Sequence, residues 1–330
     1  MKSVKYLIKL SLCFLLLVIL SSGRKESLVT LVLLPDTQNY SASYPEIFQS
    51  QTAWAAENAK NIAFVLQQGD ITNNNSEKQW AVASKAFSLM DGKVPYTFVP
   101  GNHDIGDGGK SNVRNTDLMN RFLPYEKYSK MSLFGGAFET GKMDNTWHTF
   151  KAGGIKWLIL SLEFGPRNKV IDWAKSVIES HPHHKIIINT HAYMYSDDTR
   201  MGEGKGHKWL PQNYGLGKDE GGDAVNNGDQ LWEKLVKWYP GIIFVFSGHV
   251  LNDGTGLLVS EGVHGNKVYQ ILANYQSGVE GSENGGNGFL RIISIDVRNS
   301  ELSVKTYSPY LKKYKTEPDQ QFSFKEVVFK

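Results

Sequence analysis

Phe98-Val99-Pro100-Gly101-Asn102-His103-Asp104 is the stretch that decides how this chain is read. An apolar run ends in a proline-glycine turn, and an amide, an imidazole and a carboxylate follow at once. In open α/β sheets such groups collect in the crevice beyond the carboxyl ends of buried strands. Other apolar runs end the same way. Leu31-Val32-Leu33-Leu34 runs into Pro35-Asp36-Thr37-Gln38, and Phe64-Val65-Leu66 leads to Gly69-Asp70. Ile186-Ile187-Ile188 reaches Asn189-Thr190-His191, and Ile243-Phe244-Val245-Phe246 reaches Ser247-Gly248-His249. Strand ends that repeatedly present oxygen and nitrogen donors predict a metal-centred active site.

Outward from these turns the chain alternates strand and helix. A continuous apolar run over 28–34 predicts a strand covered on both faces, and 62–66 and 94–99 read as the next strands. Between them, 45–60 reads as a helix with Pro45 at its start, and 76–90 as a helix opening on a Ser76-x-x-Gln79 capping box. Short links of this kind predict parallel strands joined by right-handed crossovers. A helix over 113–122 and short strands around Phe138, Trp147 and Phe150 come next. A strand (155–162), a helix (170–179) and a strand (185–190) follow. Residues 193–229 are glycine-rich and aperiodic, as in a functional lid or a disordered segment. A helix over 230–238 leads to a strand over 242–247, and 268–273, 289–297 and 301–307 close the chain as partly alternating strands. No repeat or linker interrupts 24–330, which predicts one domain.

The chain has 330 residues, 41% hydrophobic and 12% aromatic, which excludes disorder. Its formal charge of +3 equals the contribution of Lys2, Lys5 and Lys9, so the rest is neutral. Charge therefore supplies no signature for nucleic acid. Those lysines precede an apolar run over 10–20, too short to span a bilayer comfortably, and then Ser21-Ser22-Gly23. This order predicts a signal peptide over 1–23 and a secreted or periplasmic protein without a stable membrane span. The sole cysteine, Cys13, falls within that segment. Metal ligands must then be oxygen and nitrogen.

The ordered set resembles the calcineurin-like metallophosphoesterase superfamily, whose motifs run Asp-x-His, Gly-Asp, Gly-Asn-His-Asp or Glu, His, and Gly-His-x-His. The counterparts are Asp36-Thr37-Gln38, Gly69-Asp70, Gly101-Asn102-His103-Asp104, His191 and Gly248-His249-Val250-Leu251. The resemblance implies a four-layer α/β/β/α sandwich with mixed sheets, two divalent metal ions (Mn, Mg, Zn or Fe), and hydrolysis of phosphate esters by metal-activated water. It implies Asp70 as a bridging ligand, with Asn102, His191 and His249 on one ion and Asp36 and Gln38 on the other. His103 is implied as general acid or phosphate contact, with Asp104 orienting its ring. A histidine can protonate a departing alkoxide, and a carboxylate can fix its tautomer.

Two positions depart from the pattern. Gln38 replaces a histidine with a carbonyl oxygen, which suits a hard ion such as Mg or Mn, and Leu251 cannot ligate. Asn252 and Asp253 would supply oxygen, or touch substrate, if their loop turned inward. Otherwise one ion binds tightly and the second weakly. Arg200 is the candidate phosphate clamp, and Asn274-Tyr275-Gln276 is a candidate pocket lining. His148 and His264 read as structural or exposed, His207 as exposed, and His181, His183 and His184 as solvated. The expected partner is a phosphorylated small molecule or macromolecule. The alternative is a catalytically weakened scaffold acting as a secreted binding protein.

Overall fold

Leu28–Leu34 (β1), Phe64–Gln67 (β2) and Tyr96–Thr97 (β3) are parallel neighbours, with Leu31 opposite Phe64 and Val65 opposite Tyr96. The computed structural model describes residues 27–329, so the expected signal peptide lies outside the described residues. Phe134–Ala137 (β4), Thr146–Ala152 (β5), Ile155–Leu162 (β6), Lys185–Thr190 (β7), Ile242–Ser247 (β8), Thr255–Glu261 (β9) and Lys267–Ala273 (β10) build a second sheet, ordered β4-β5-β6-β7-β8-β10-β9. The chain then returns to the first. Leu290–Asp296 (β11) pairs antiparallel with β1, and Glu301–Ser308 (β12), Lys313–Lys315 (β13) and Gln321–Phe324 (β14) extend that edge. Both sheets are mixed.

The apolar runs lack polar alternation because every strand face near the centre is covered. In β1, Leu31 and Leu33 join Phe64, Trp157, Ile187, Phe244 and Ile293 in the core between the sheets. Val32 and Leu34 point the other way, onto a layer containing Phe48, Trp80, Ala83 and Phe87. That layer is formed by Gln38–Ser43 (α1), Pro45–Glu57 (α2) and Glu77–Ser88 (α3). Asp117–Phe122 (α4) and Tyr125–Tyr128 (α5) continue it. Outside the second sheet, Leu158, Leu160, Ile186, Ile188 and Val245 pack on Val170, Ile171 and Ala174 of Asn168–Glu179 (α6) and Leu231 of Gly228–Lys234 (α7). Helices, sheet, sheet and helices stack as four layers. No helix among the described residues is long and apolar enough to cross a membrane.

Three departures have local causes. Ser76 precedes α3 without a side-chain cap; Gln79 instead turns back and accepts the amides of Asn73 (2.8 Å) and Asn74 (3.1 Å). The helix expected over 113–122 starts only at Asp117, because Asn115 carbonyl accepts Gly106 N–H and Asn115 Oδ1 accepts Asp117 N–H. Residues 193–229 contain only 3-10 turns until α7, yet they bury Met201, Leu210, Leu216 and Val225 against the second sheet. This loop is held by apolar anchoring.

The inter-sheet core is expected to dominate stability. Ile187→Ala, at a fully buried position between the sheets, should cost about 2–5 kcal/mol, read as a lower urea midpoint with an unchanged slope.

Candidate metal centre

β1, β2 and β3 of one sheet and β7 and β8 of the other point their carboxyl ends to the same side. Asp36, Asp70 and Asn102 leave the first set, His191 and His249 the second. The crossing is direct: Asn189 Nδ2 donates to Gln67 carbonyl at 2.9 Å, and His191 Nδ1 lies 2.8 Å from Gln68 carbonyl. Close approach requires glycine at the turns. A Cβ on Gly101 would stand 2.1 Å from the Asp70 backbone nitrogen, and one on Gly248 would stand 2.1 Å from Asp36 Oδ1. Asp70 (φ 48°) and His249 (φ 76°) are both in the left-handed region, a strain that clusters at functional sites.

The ring tautomers follow from their partners. A carbonyl only accepts, so His191 Nδ1 carries hydrogen toward Gln68. His249 Nε2 carries one toward Trp209 carbonyl, 2.7 Å away. The remaining nitrogens face each other: His191 Nε2 is 3.1 Å from His249 Nδ1, 3.1 Å from Asn102 Oδ1 and 3.2 Å from Asp70 Oδ1. All four residues are buried. Asp70, His191 and His249 each offer a ligand atom within 4.8 Å of the others. With both rings neutral these four acceptors converge without a donor among them, and a cation at their centre, a proton or a metal ion, resolves this. Imidazole, carboxylate and amide oxygen are suitable divalent-metal donors.

Electrostatics agree. Burial opposes charging of His191, but the Asp70 and Asp36 carboxylates outweigh it and raise its pKa to about 9. Burial, then repulsion from His191, pushes His249 down to about 3. Burial also opposes ionisation of Asp70, yet the His191 and His103 rings hold it well below the usual carboxylate range. Burial raises Asp36 to about 7 despite His191.

Asp36 stands beside this group, accepting from His249 N–H (3.1 Å), Asn274 Nδ2 (3.1 Å) and Gln276 Nε2 (2.9 Å). Gln38, the first residue of α1, lines the same pocket, and its buried Oε1 has no hydrogen-bond partner. A metal ligand position accounts for that orphaned oxygen. The pocket holds about 160 Å³ and is completed by His103, Trp209, Tyr214, Leu251, Gln276 and Ser277. Phe164 walls the imidazoles, its ring 5.8 Å from His191 and 5.4 Å from His249.

Several expected roles change. Asp104 does not orient the His103 ring; its oxygens accept the amides of Gly101 (2.9 Å), Ile71 (2.9 Å) and Thr72 (2.7 Å) and the Thr72 hydroxyl (2.9 Å). The ring is held by Asn73 carbonyl, 2.7 Å from Nδ1. Asn252 and Asp253 turn outward, bonding Ser196 Oγ (2.7 Å) and Thr255 N–H (3.1 Å), so neither replaces the missing ligand at Leu251. Arg200 is taken up elsewhere, by Ser260 Oγ (2.9 Å), Gln270 Oε1 (3.1 Å) and the Trp232 ring. His207 is buried, stacked on Tyr195 at 4.0 Å. Trp209 and Tyr214 were missed because they sit in an aperiodic loop; their one sequence signal is aromatic residues within a polar, glycine-rich stretch.

Two outcomes follow. Below about pH 9 the cation-free His191 ring carries a proton, which a divalent ion must displace. Raising the pH removes that competitor, so Mn²⁺ affinity should increase about tenfold per pH unit. The increase should be steeper below about 7, where Asp36 is also protonated. Calorimetry of metal-stripped protein in buffers of different ionisation enthalpy checks this, and a flat profile contradicts it. Asp104→Asn places an amide donor against backbone donors and should cost about 1–3 kcal/mol in thermal or urea unfolding.

Comparisons with known proteins agree with this geometry. A sequence model described as calcineurin-like phosphoesterase matches residues 29–253. The uncharacterized protein YvnB of Bacillus subtilis is 28% identical over 301 residues, which is 87% of this chain and 20% of that protein. The chain thus spans about a fifth of that relative's length. Purple acid phosphatase PPD1 from yellow lupin (Lupinus luteus) seeds superposes with a TM-score of 0.55 at 14% identity, over 91% of this chain and 54% of that one. GAP50, the anchor in the inner membrane complex of Plasmodium, gives 0.51 at 12% identity, over 92% and 90%. At such identities these likenesses show the fold, whereas the sequence match reaches from β1 through the loop after β8 and takes in Asp36, Gln38, Asp70, Asn102, His191 and His249: the chain belongs to the calcineurin-like phosphoesterase family.

Proposed function

We propose that this protein hydrolyses phosphate esters at the pocket above Asp70, His191 and His249, with divalent metal bound there. The observation that carries this reading is the convergence of Asp70, Asn102, His191 and His249 on one buried point. Bound divalent ions at such a site supply charge neutralisation and water activation. Asp70, Asn102, His191 and His249 would hold one ion, and Asp36 and Gln38 are the donors for another.

The chain's own groups account for the rest. His103 lines the pocket with Nδ1 engaged by Asn73, which leaves Nε2 for substrate. Burial opposes its charge, but Asp70 outweighs this and raises its pKa above the ordinary imidazole value. A ring held protonated can donate to the departing ester oxygen. Asp104 acts through the backbone: by clasping Gly101, Ile71 and Thr72 it keeps Asn73, and so His103, in register. Trp209 and Tyr214 border the pocket, and Phe164 packs against the two imidazoles.

A weakened catalyst serving as a binding scaffold is the second reading. Leu251 favours it, because Asn252 and Asp253 leave that ligand position unfilled. Metal analysis separates the two. Near-zero bound metal after supplementation, with no turnover of mono- or diesters under Mn, Mg or Zn, supports the scaffold. For the enzyme, His103→Ala should retain metal and lower kcat by about 10²–10⁴-fold, whereas Asp70→Ala should lose both metal and turnover. Equal rates for wild type and Asp70→Ala overturn the catalytic reading.

A further inference from the structure

We infer that the pocket is selective for phosphodiesters over phosphomonoesters, an inference that rests on the phosphoesterase reading above. The pocket is small and short of fixed positive charge. Its polar wall is supplied by three neutral amides, Gln38, Asn102 and Gln276, and its rim by Trp209, Tyr214 and Leu251. No lysine or arginine is among its lining residues. Arg200, on the loop beyond His191, is spent on Ser260, Gln270 and Trp232.

Charge and shape point to the same substrate class. A phosphomonoester carries about −1.5 to −2 charges at neutral pH and offers three strong acceptor oxygens. Sites that hold such groups surround them with positive charge from arginine, lysine or bound metal, and here lysine and arginine side chains add nothing to the metal's share. A diester carries one negative charge and replaces the third acceptor oxygen with a second organic arm. That arm needs apolar surface beside the phosphorus, not another cation. The half-buried Trp209, Tyr214 and Leu251 supply it. A volume of about 160 Å³ admits the phosphoryl group and the first atoms of its substituents, so both arms must leave across this rim. Leu251 contributes twice, withholding an imidazole from the pocket and adding an apolar contact.

The test compares bis(4-nitrophenyl) phosphate with 4-nitrophenyl phosphate, which share a leaving group, on the full-length protein loaded with Mn²⁺. The expected result is a kcat/KM for the diester about tenfold or more above that for the monoester. A smaller ratio, or a preference for the monoester, overturns the inference and leaves the phosphoesterase reading standing. Turnover of neither ester with Mn, Mg or Zn overturns that reading and the inference with it. Leu251→Lys, at a half-buried rim position, should reduce the diester-to-monoester ratio by about threefold or more through added positive charge. Trp209→Ala should raise KM for the diester more than for the monoester. Ratios unchanged in both folded variants also overturn it.

Discussion

Two imidazole nitrogens that meet at 3.1 Å inside the protein, with at most one hydrogen between them, are the constraint on which the rest depends. Their hydrogens are committed elsewhere, His191 to Gln68 carbonyl and His249 to Trp209 carbonyl. Asp70 and Asn102 add oxygen lone pairs to the same point. No rotation of the rings relieves this, because turning either one would break a buried bond to backbone. The free energy of folding must therefore be recovered through a cation, a proton in the empty site or a metal in the filled one. The opposite displacements of His191 and His249 from the ordinary imidazole range express that choice: one ring accepts the proton and the other is denied it.

The fold makes this frustration sustainable. Parallel strands bring Asp70 and Asn102 to one end of the first sheet and His191 and His249 to the matching end of the second. The core between the sheets, with Leu31, Phe64, Ile187 and Phe246 all buried, fixes their separation. The turns then have little freedom. Gly101 touches Asp70 more closely than any side chain would allow, and Asp70 and His249 hold positive φ. Strain of about 1–3 kcal/mol for each such residue is small beside the burial that holds the layers together. Asp104, with four donors on its two oxygens, stiffens the turn from below.

Much of this was legible in the linear chain, for a definite reason. Runs such as 28–34 and 242–247 are apolar on both faces, and they end abruptly at polar residues. β1, β6, β7 and β8 match their expected limits. The donors that follow them are adjacent in sequence to strong signals. What escaped has no such neighbour. The role of Asp104 depends on backbone amides at 71 and 72, thirty residues away in sequence. Arg200 is drawn off by Ser260 and Gln270 of β9 and β10, and β9 itself was missed between glycine-rich turns. The apparent capping box at Ser76 failed because Gln79 found amides within its own preceding turn. A motif specifies which atoms are available, but their partners are set by tertiary competition.

Trp209 ties the two halves of the site together. Its carbonyl fixes the tautomer of His249, and its side chain borders the mouth of the pocket. Its φ of 60° is unfavourable for a bulky residue, so the loop must be held by its neighbours. Met201 and Leu210, buried on the second sheet, bracket it in sequence. The residue that orients the His249 ring is therefore also a residue at the mouth of the pocket. A displacement of the rim would turn the carbonyl away from His249, and a change at His249 would be felt at the rim. The His249 ring and the mouth of the pocket are coupled through one peptide unit, which gives an aperiodic loop a reason to be so firmly anchored.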